Sequence, residues 1–216
     1  MTKTTESKHN QNADKDAAAL KQPRTQQQRR DATSRAVLES ATLLFGDKGY
    51  QNTSLEEIAQ HSGNTIRPIY HYFKSKKNLF KHVAEAKETY LLKVFESMDA
   101  GGAEQLPIPV YWDAFTRVCK EPGFRQIVLI DAPNVLGKER WMESPIVAKA
   151  WDYFDNVYPQ LNPTSRRLVS RVCVAGLIEA AMVLSESDND GEQESFDELL
   201  KFYALITQAS TLLPKQ

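Results

Sequence analysis

Apolar residues return every three or four positions along most of this chain, and almost nowhere at every second one. Val37, Ala41, Leu44 and Phe45 fall at i, i+4, i+7 and i+8, one face of a helix running from about Arg24 to about position 47. Gly49 is placed to stop it. The stretch Thr53-Ser54-Leu55-Glu56-Glu57 holds two overlapping capping boxes, Thr53 with Glu56 or Ser54 with Glu57. Either one starts a short second helix, Leu55 to about His61, with Leu55, Ile58 and Ala59 inward. Gly63 breaks that helix. Thr65 is placed to cap a third one through the Arg67 N–H, because Pro68, in the first turn, has no N–H to give. Ile69 and Phe73 supply its apolar face. Ser75 caps a fourth helix whose inward stripe reads Leu79, Val83, Ala86, Tyr90, Val94 and Met98, as far as Asp99.

After a loop bearing Pro107 and Pro109 the helical spacing resumes over 110–120. A turn at Glu121-Pro122-Gly123 opens the next helix, which Asp131-Ala132-Pro133 interrupts. Ser144-Pro145 opens another to about Tyr158, and Asn162-Pro163 a long one to about Glu186. A loop over 188–191 precedes a last helix that begins at Gln193 or Ser195 and ends near Leu213. Residues 1–23 are polar and aperiodic and are expected to be a disordered arm. No strand pattern and no internal repeat occurs, so the fold class is all-α.

The chain has 216 residues, enough for one large domain or two small ones. Its 41% hydrophobic and 25% charged residues are ordinary for a water-soluble protein. The near-apolar run from Val172 to Leu184 is interrupted by Glu179 and is too short to span a bilayer, so no membrane is expected. The N-terminus lacks the apolar segment of a secretory signal. Cys119 and Cys173 stand apart and suit neither a metal nor a disulfide framework; core-facing thiols in a reducing cytoplasm follow.

Charge changes the picture. Residues 1–82 carry 14 Lys and Arg against 8 Asp and Glu, an excess of +6. Residues 83–216 carry 13 against 20, an excess of −7. A basic front on an acidic back suits a polyanion at one end. Three helices with a Gly-centred turn between the second and third form a helix-turn-helix pattern, whose third helix would enter a DNA major groove with its N-terminal side chains leading. Thr65, Ile66, Arg67, Pro68, Tyr70 and His71 would be exposed there. Arg67 can fork onto guanine, and Ile66 and Pro68 can touch a thymine methyl. Tyr70 and His71 can donate to phosphates. Lys76, in the first turn of the fourth helix, can share a phosphate with free backbone N–H groups. Thr53 and Ser54 can do the same at the second helix. Each has a plainer use as a cap or packing ring, and Lys74 and Lys77 suit a solvated face.

The stretch Leu44 to Ala59, "LFGDKGYQNTSLEEIA", then Gly63, then "IYHYFKSK" from Ile69 to Lys76, resembles the DNA-binding domain of the tetracycline-repressor (TetR) family from about Arg30 to Phe80. The back half, through Phe124 to Trp141 and the helix holding Glu179, resembles one common C-terminal version of that family. The resemblance implies a homodimeric transcription regulator, usually a repressor, on double-stranded operator DNA. It also implies a small-molecule effector held in the back domain, which changes the separation of two reading heads. The family's phosphate contacts map onto Thr53 or Ser54, Tyr70 and Lys76, and its reading helix onto Thr65 to His71. The family usually sets Lys or Arg and then Gly after the capping residue; here Ile66, Arg67 and Pro68 follow Thr65, which bears on base preference.

These readings divide the chain into an arm (1–23), a helix-turn-helix domain (24–80) and a helical effector-binding and dimerisation domain (81–216). The long helix is apolar on several sides, more than one monomer easily covers. Leu168, Val172, Ala175, Ile178 and Met182, with Phe196, Leu199, Leu200, Tyr203 and Ile206 of the last helix, would form half of a four-helix dimer bundle. Trp112, Phe115, Phe124, Trp141, Trp151, Phe154 and also Tyr158 can wall an apolar effector cavity or simply fill the core. Glu179, acidic among apolar neighbours, needs a partner such as Arg117, Arg125 or Arg171, either as a structural ion pair or beside the effector. No nucleophile elbow, phosphate loop or metal-spaced cluster is present, so no enzyme activity, cofactor or metal is expected. The competing readings are a helical carrier or enzyme, and a protein-binding adaptor with a vestigial helix-turn-helix.

Overall fold

The computed structural model describes residues 25–99 and 108–184, together with 198 and 201. The N-terminal arm, the 188–191 loop and the last helix's Phe196, Leu199, Leu200, Tyr203 and Ile206 lie outside the described residues. Those described form helices and no strand: α1 (Gln26–Lys48), α2 (Leu55–His61), α3 (Ile66–Phe73), α4 (Lys76–Asp99), α5 (Ile108–Cys119), a π-helical stretch Arg125–Asp131 continuing into α6 (Ala132–Leu136), α7 (Lys138–Met142), α8 (Pro145–Val157) and α9 (Pro163–Leu184).

Local chemistry sets most of these ends. Thr25 and Gln28 make a reciprocal box that starts α1, and Gly49 ends it with φ 77°. Ser144 accepts the Val147 N–H ahead of Pro145. Asn162 accepts the Ser165 N–H at 2.9 Å as α9 begins. Gly63, at φ 65°, takes the left-handed turn between α2 and α3 that a side chain would resist.

One core runs from Val37 on α1 to Ala181 on α9. Helix α4 lies at its centre and packs on α1, α3, α5, α6, α8 and the π stretch. It runs unbroken across position 80, so front and back share one helix.

Three expectations need correction. The buried positions on α4 are Leu79, Phe80, Val83, Ala84, Glu88, Leu91 and Phe95, while Ala86 and Tyr90 are exposed. The true stripe passes through a glutamate, so the apolar pattern pointed about one residue off beyond Val83. Asp131-Ala132-Pro133 interrupts nothing. The Ala132 N–H bonds Ile127 O, five residues back, and this wider turn carries the chain past the proline's missing donor. The Asn134 amide donates to Ile130 O at 2.7 Å. Third, the polar α7 forms where no helix was expected.

The joint between front and back is tight. Gly46 on α1 and Gly123 before the π stretch touch backbone to backbone: a Cβ on either would lie 2.7 Å from the other's Cα. Beside them the buried Asp131 carboxylate accepts the Tyr50 N–H at 2.7 Å. Asp131→Ala would orphan that N–H and is expected to cost about 2 kcal/mol in urea denaturation. Asp131→Asn, which keeps an acceptor oxygen, should cost less; equal losses would count against the bond. Cys119 and Cys173 are both buried, and burial pushes their thiols up to about 12 and about 11.

Candidate nucleic-acid interface and effector cavity

The interface begins with the choice between Thr53 and Ser54. Ser54 is the cap. Its hydroxyl accepts the Glu57 N–H at 3.1 Å, and Glu57 accepts the Ser54 N–H at 2.8 Å. The Ser54 N–H, then Lys48, hold the Glu57 carboxyl down at about 2. Thr53 borders the same turn but its hydroxyl points inward. It is buried, and its hydroxyl donates to Leu44 O (3.1 Å) and Gly49 O (2.9 Å). That takes its hydroxyl off the surface and corrects its expected place among the phosphate contacts.

Thr65 at the cap and Arg67, Tyr70 and His71 on α3 are exposed, while Ile69 and Phe73 are buried. Ile66 differs from its expected exposure: it is half-buried and packs on the core, since at the first helical position it turns under the helix. Pro68 is half-buried too. Thr65 occupies the cap position but its side chain makes no cap bond, so its hydroxyl faces outward uncommitted. Ser75 caps α4, accepting the Asn78 N–H at 3.1 Å, and Lys76 is the first residue of that helix.

Ser54, Tyr70 and Lys76 rim a single shallow depression with Gln51, Asn52, Thr53, Leu55 and Glu56. The Lys76 ammonium sits 4.3 Å above the Tyr50 ring. Partial burial lowers its pKa, and the charges of Asp131 and Glu57 push it back up. The free N–H groups at the start of α4 add to the field. Gln51 and Asn52 carry no functional signal in the sequence; they lie in an ordinary polar turn until folding sets it beside Lys76.

A cavity of about 500 Å³ opens between α4, α5, α8 and α9. Its walls include Trp112, Phe115 and Phe154, together with Phe95, Tyr111, Tyr153, Leu177 and Ile178. The other expected rings fall elsewhere. Phe124 is fully buried away from the lining, because it sits at the joint end of the core. Trp151, on α8, is half-buried against the core off the lining, with the Arg167 guanidinium 5.4 Å from its ring. Tyr158 also stands off the lining, stacked on Phe154 at 6.1 Å. The Trp141 side chain lies outside the described residues. Glu179 is exposed on α9, outside the cavity, so the buried ion pair expected for it does not form.

The cavity's charged groups were not legible as such in the sequence. Asp99, at the end of α4, accepts from the Lys149 ammonium of α8 at 2.5 Å and from the Tyr111 hydroxyl of α5. Burial pushes Asp99 up, but Lys149 and Tyr111 together outweigh it and hold the carboxyl below its usual range. Burial, then Asp99, pushes the Tyr111 phenol well up. Among the described residues no His, Cys, Asp and Glu group is arranged to hold a metal ion. No described helix is long and apolar enough to cross a membrane.

Of the residues assigned to a dimer face, Leu168, Val172 and Ala175 are exposed on α9, with Val183 beyond them. Ile178 and Met182 are half-buried and pack inward, Ile178 into the cavity wall.

Comparison with known proteins adds to this geometry. Residues 37–83 match the family of bacterial regulatory proteins described as tetR, and residues 110–206 match the tetracyclin repressor-like C-terminal domain. The helix-turn-helix-type transcriptional regulator AcrR of Shigella flexneri is 38% identical over 66 residues, 31% of this chain and 31% of AcrR. The chain thus spans about a third of the length of the curated relatives it matches. A TetR-family regulator of Pectobacterium atrosepticum superposes with a TM-score of 0.55 at 24% identity, over 84% of this chain and 95% of its own. A transcriptional regulator of Aquifex aeolicus gives 0.57 at 20%, over 81% and 99%. At such identities these structures speak to the fold alone.

Proposed function

Since the chain belongs to the TetR family of bacterial regulatory proteins, we propose that it is a homodimeric cytoplasmic repressor that binds a palindromic operator and is released by a small molecule in the α4–α5–α8–α9 cavity. The observation that carries this reading is the convergence of Ser54, Tyr70 and Lys76 on one depression at the start of α4. A phosphate there meets the Lys76 ammonium, the Tyr70 hydroxyl and a helix N-terminus together, while the Ser54 hydroxyl, which donates to Glu57 at 3.1 Å, must exchange that partner to join them. Arg67 and His71, exposed one turn apart on α3, would then face base edges.

A two-fold pair is supported by α9. Leu168 is 64% exposed, Val172 50% and Val183 56%, and with Ala175 they form a stripe that a second copy would cover. Two heads one DNA turn apart, roughly 34–36 Å, suit a palindrome. The division into arm, reading head (24–80) and effector-binding body (81–216) belongs to the same proposal.

The test is fluorescence anisotropy on DNA from upstream of the coding region, across a salt series. Lys76→Ala is expected to weaken binding at least about tenfold and to lower the salt slope by about two, one per head. Tyr70→Ala should weaken binding with little change of slope, because it carries no charge. Arg67→Ala should relax base preference. Absence of any specific complex at low salt would return the chain to the carrier or adaptor readings.

A further inference from the structure

The cavity's polar end is already neutralised within the protein. Asp99 and Lys149 pair directly, and Tyr111 donates to the same carboxylate. Asp152, on the same lining, makes the charge of the walls −1. The rest of the surface is largely rings and aliphatic side chains. Phe95 meets Tyr111 at 5.5 Å, and Tyr111 meets Tyr153 at 5.7 Å, both edge to face.

We propose that this cavity takes an uncharged, ring-bearing molecule whose polar group both donates and accepts a hydrogen bond, a hydroxyl or an amide, seated on the Asp99–Lys149 pair, and that it turns away carboxylic acids. The proposal rests on the reading that this cavity holds the effector.

The donor and acceptor count supports it. The Lys149 ammonium has three N–H groups and gives one to Asp99; the Asp99 carboxylate has about four acceptor positions and uses two. A hydroxyl or amide can accept from the first and donate to the second without breaking their bond. An anionic head meets Asp99 and Asp152. It can accept from a remaining Lys149 N–H, but it then lies against two carboxylates with a single ammonium to serve them in a partly buried place. A cationic head gains from the ring faces and from Asp152 but meets the Lys149 ammonium at the Asp99–Lys149 pair. The uncharged head alone meets no like charge. The volume, about 500 Å³, suits a molecule of a few fused or linked rings.

Three probes on one skeleton separate these cases: 9-anthracenemethanol, anthracene-9-carboxylate and (anthracen-9-ylmethyl)trimethylammonium. Their binding to the full chain is measured by calorimetry and probe fluorescence, without DNA. The alcohol is expected to bind at least about tenfold tighter than the carboxylate, with the ammonium weaker than the alcohol. Asp99→Asn removes the competing carboxylate and frees Lys149. In that variant the anthracene carboxylate should gain about tenfold while the alcohol changes little. Circular dichroism checks that the variant folds; if it does not, the wild-type ranking decides alone. A carboxylate or ammonium probe that binds as tightly as the alcohol, or no binding by any of the three, overturns the proposal. DNA retention is measured separately on the same preparation. Its loss would remove the regulator reading and leave the probe ranking intact.

Discussion

Replacing Arg140 by Met should cost about 3 kcal/mol of stability near neutral pH, and the loss should shrink on acidification. Glu88 is 4% exposed at the middle of α4. Arg140 of α7 reaches it with both terminal guanidinium nitrogens, one of them at 2.8 Å. Burial pushes the Glu88 carboxyl up, and the bonds from Arg140 draw it part of the way back. Methionine keeps the packing of the arginine stem and removes the charge, so Glu88 must lie unpaired or take a proton. The pH dependence follows from the sign of the shift. Glu88's folded pKa lies above its unfolded value, so between the two the folded chain holds the extra proton. Stability is therefore lost as pH rises through that window. Without Arg140 the upper edge of the window moves higher. The gap between variant and wild type should thus widen as pH rises from the ordinary carboxylate range through neutrality. Urea denaturation at several pH values measures it. A gap that stays constant over that range would mean that Glu88 is not a buried charge. Glu88→Leu with Arg140→Met should recover most of the loss, because no charge is then left behind.

Gly46→Ala should lower the melting temperature by about 5 °C, equivalent to roughly 2 kcal/mol for a chain of this size. Helix propensity alone argues the reverse, since alanine within a helix is better than glycine by about 1 kcal/mol. The contact decides. The new Cβ would sit 2.7 Å from the Gly123 Cα, and a backbone atom cannot rotate aside as a side-chain tip can. Gly123 cannot easily yield either, because its φ of 75° places it in a turn that suits glycine. The substitution should push α1 away from the π stretch and loosen the Tyr50–Asp131 bond beside it. Calorimetry on Gly46→Ala, with Gly63→Ala as a control for strain without a clash, separates the two effects. A higher melting temperature for Gly46→Ala would mean that the close approach does not occur in solution.

The front of the molecule was legible because its signals are local. Caps, a left-handed glycine and i, i+4 apolar pairs act within a few residues, so α2 and α3 could be placed almost to the residue. Even there, two overlapping capping boxes left Thr53 and Ser54 undecided. The choice rests on carbonyls of Leu44 and Gly49 that lie several residues away and become neighbours only on folding. Further back, local spacing points the wrong way. Glu88 occupies a core-facing place on α4, and a stripe drawn through apolar residues steps around it. Its partner lies on α7, whose Lys-Glu-Arg start gives no apolar pattern.

The sequence by itself determined the helical class, the order of most helices, the helix-turn-helix with its exposed Arg67 and Tyr70, and the family. All of these follow from spacing and capping within single segments. Only the tertiary structure decided which rings wall a cavity and which fill the core, that Glu179 faces outward, and that Asp99, Lys149 and Tyr111 meet. It also decided that two glycines 77 positions apart touch. Periodicity shows that a side chain is apolar or charged and on which side of its own helix it lies. It does not show which other helix faces that side, and every one of those findings is a relation between helices.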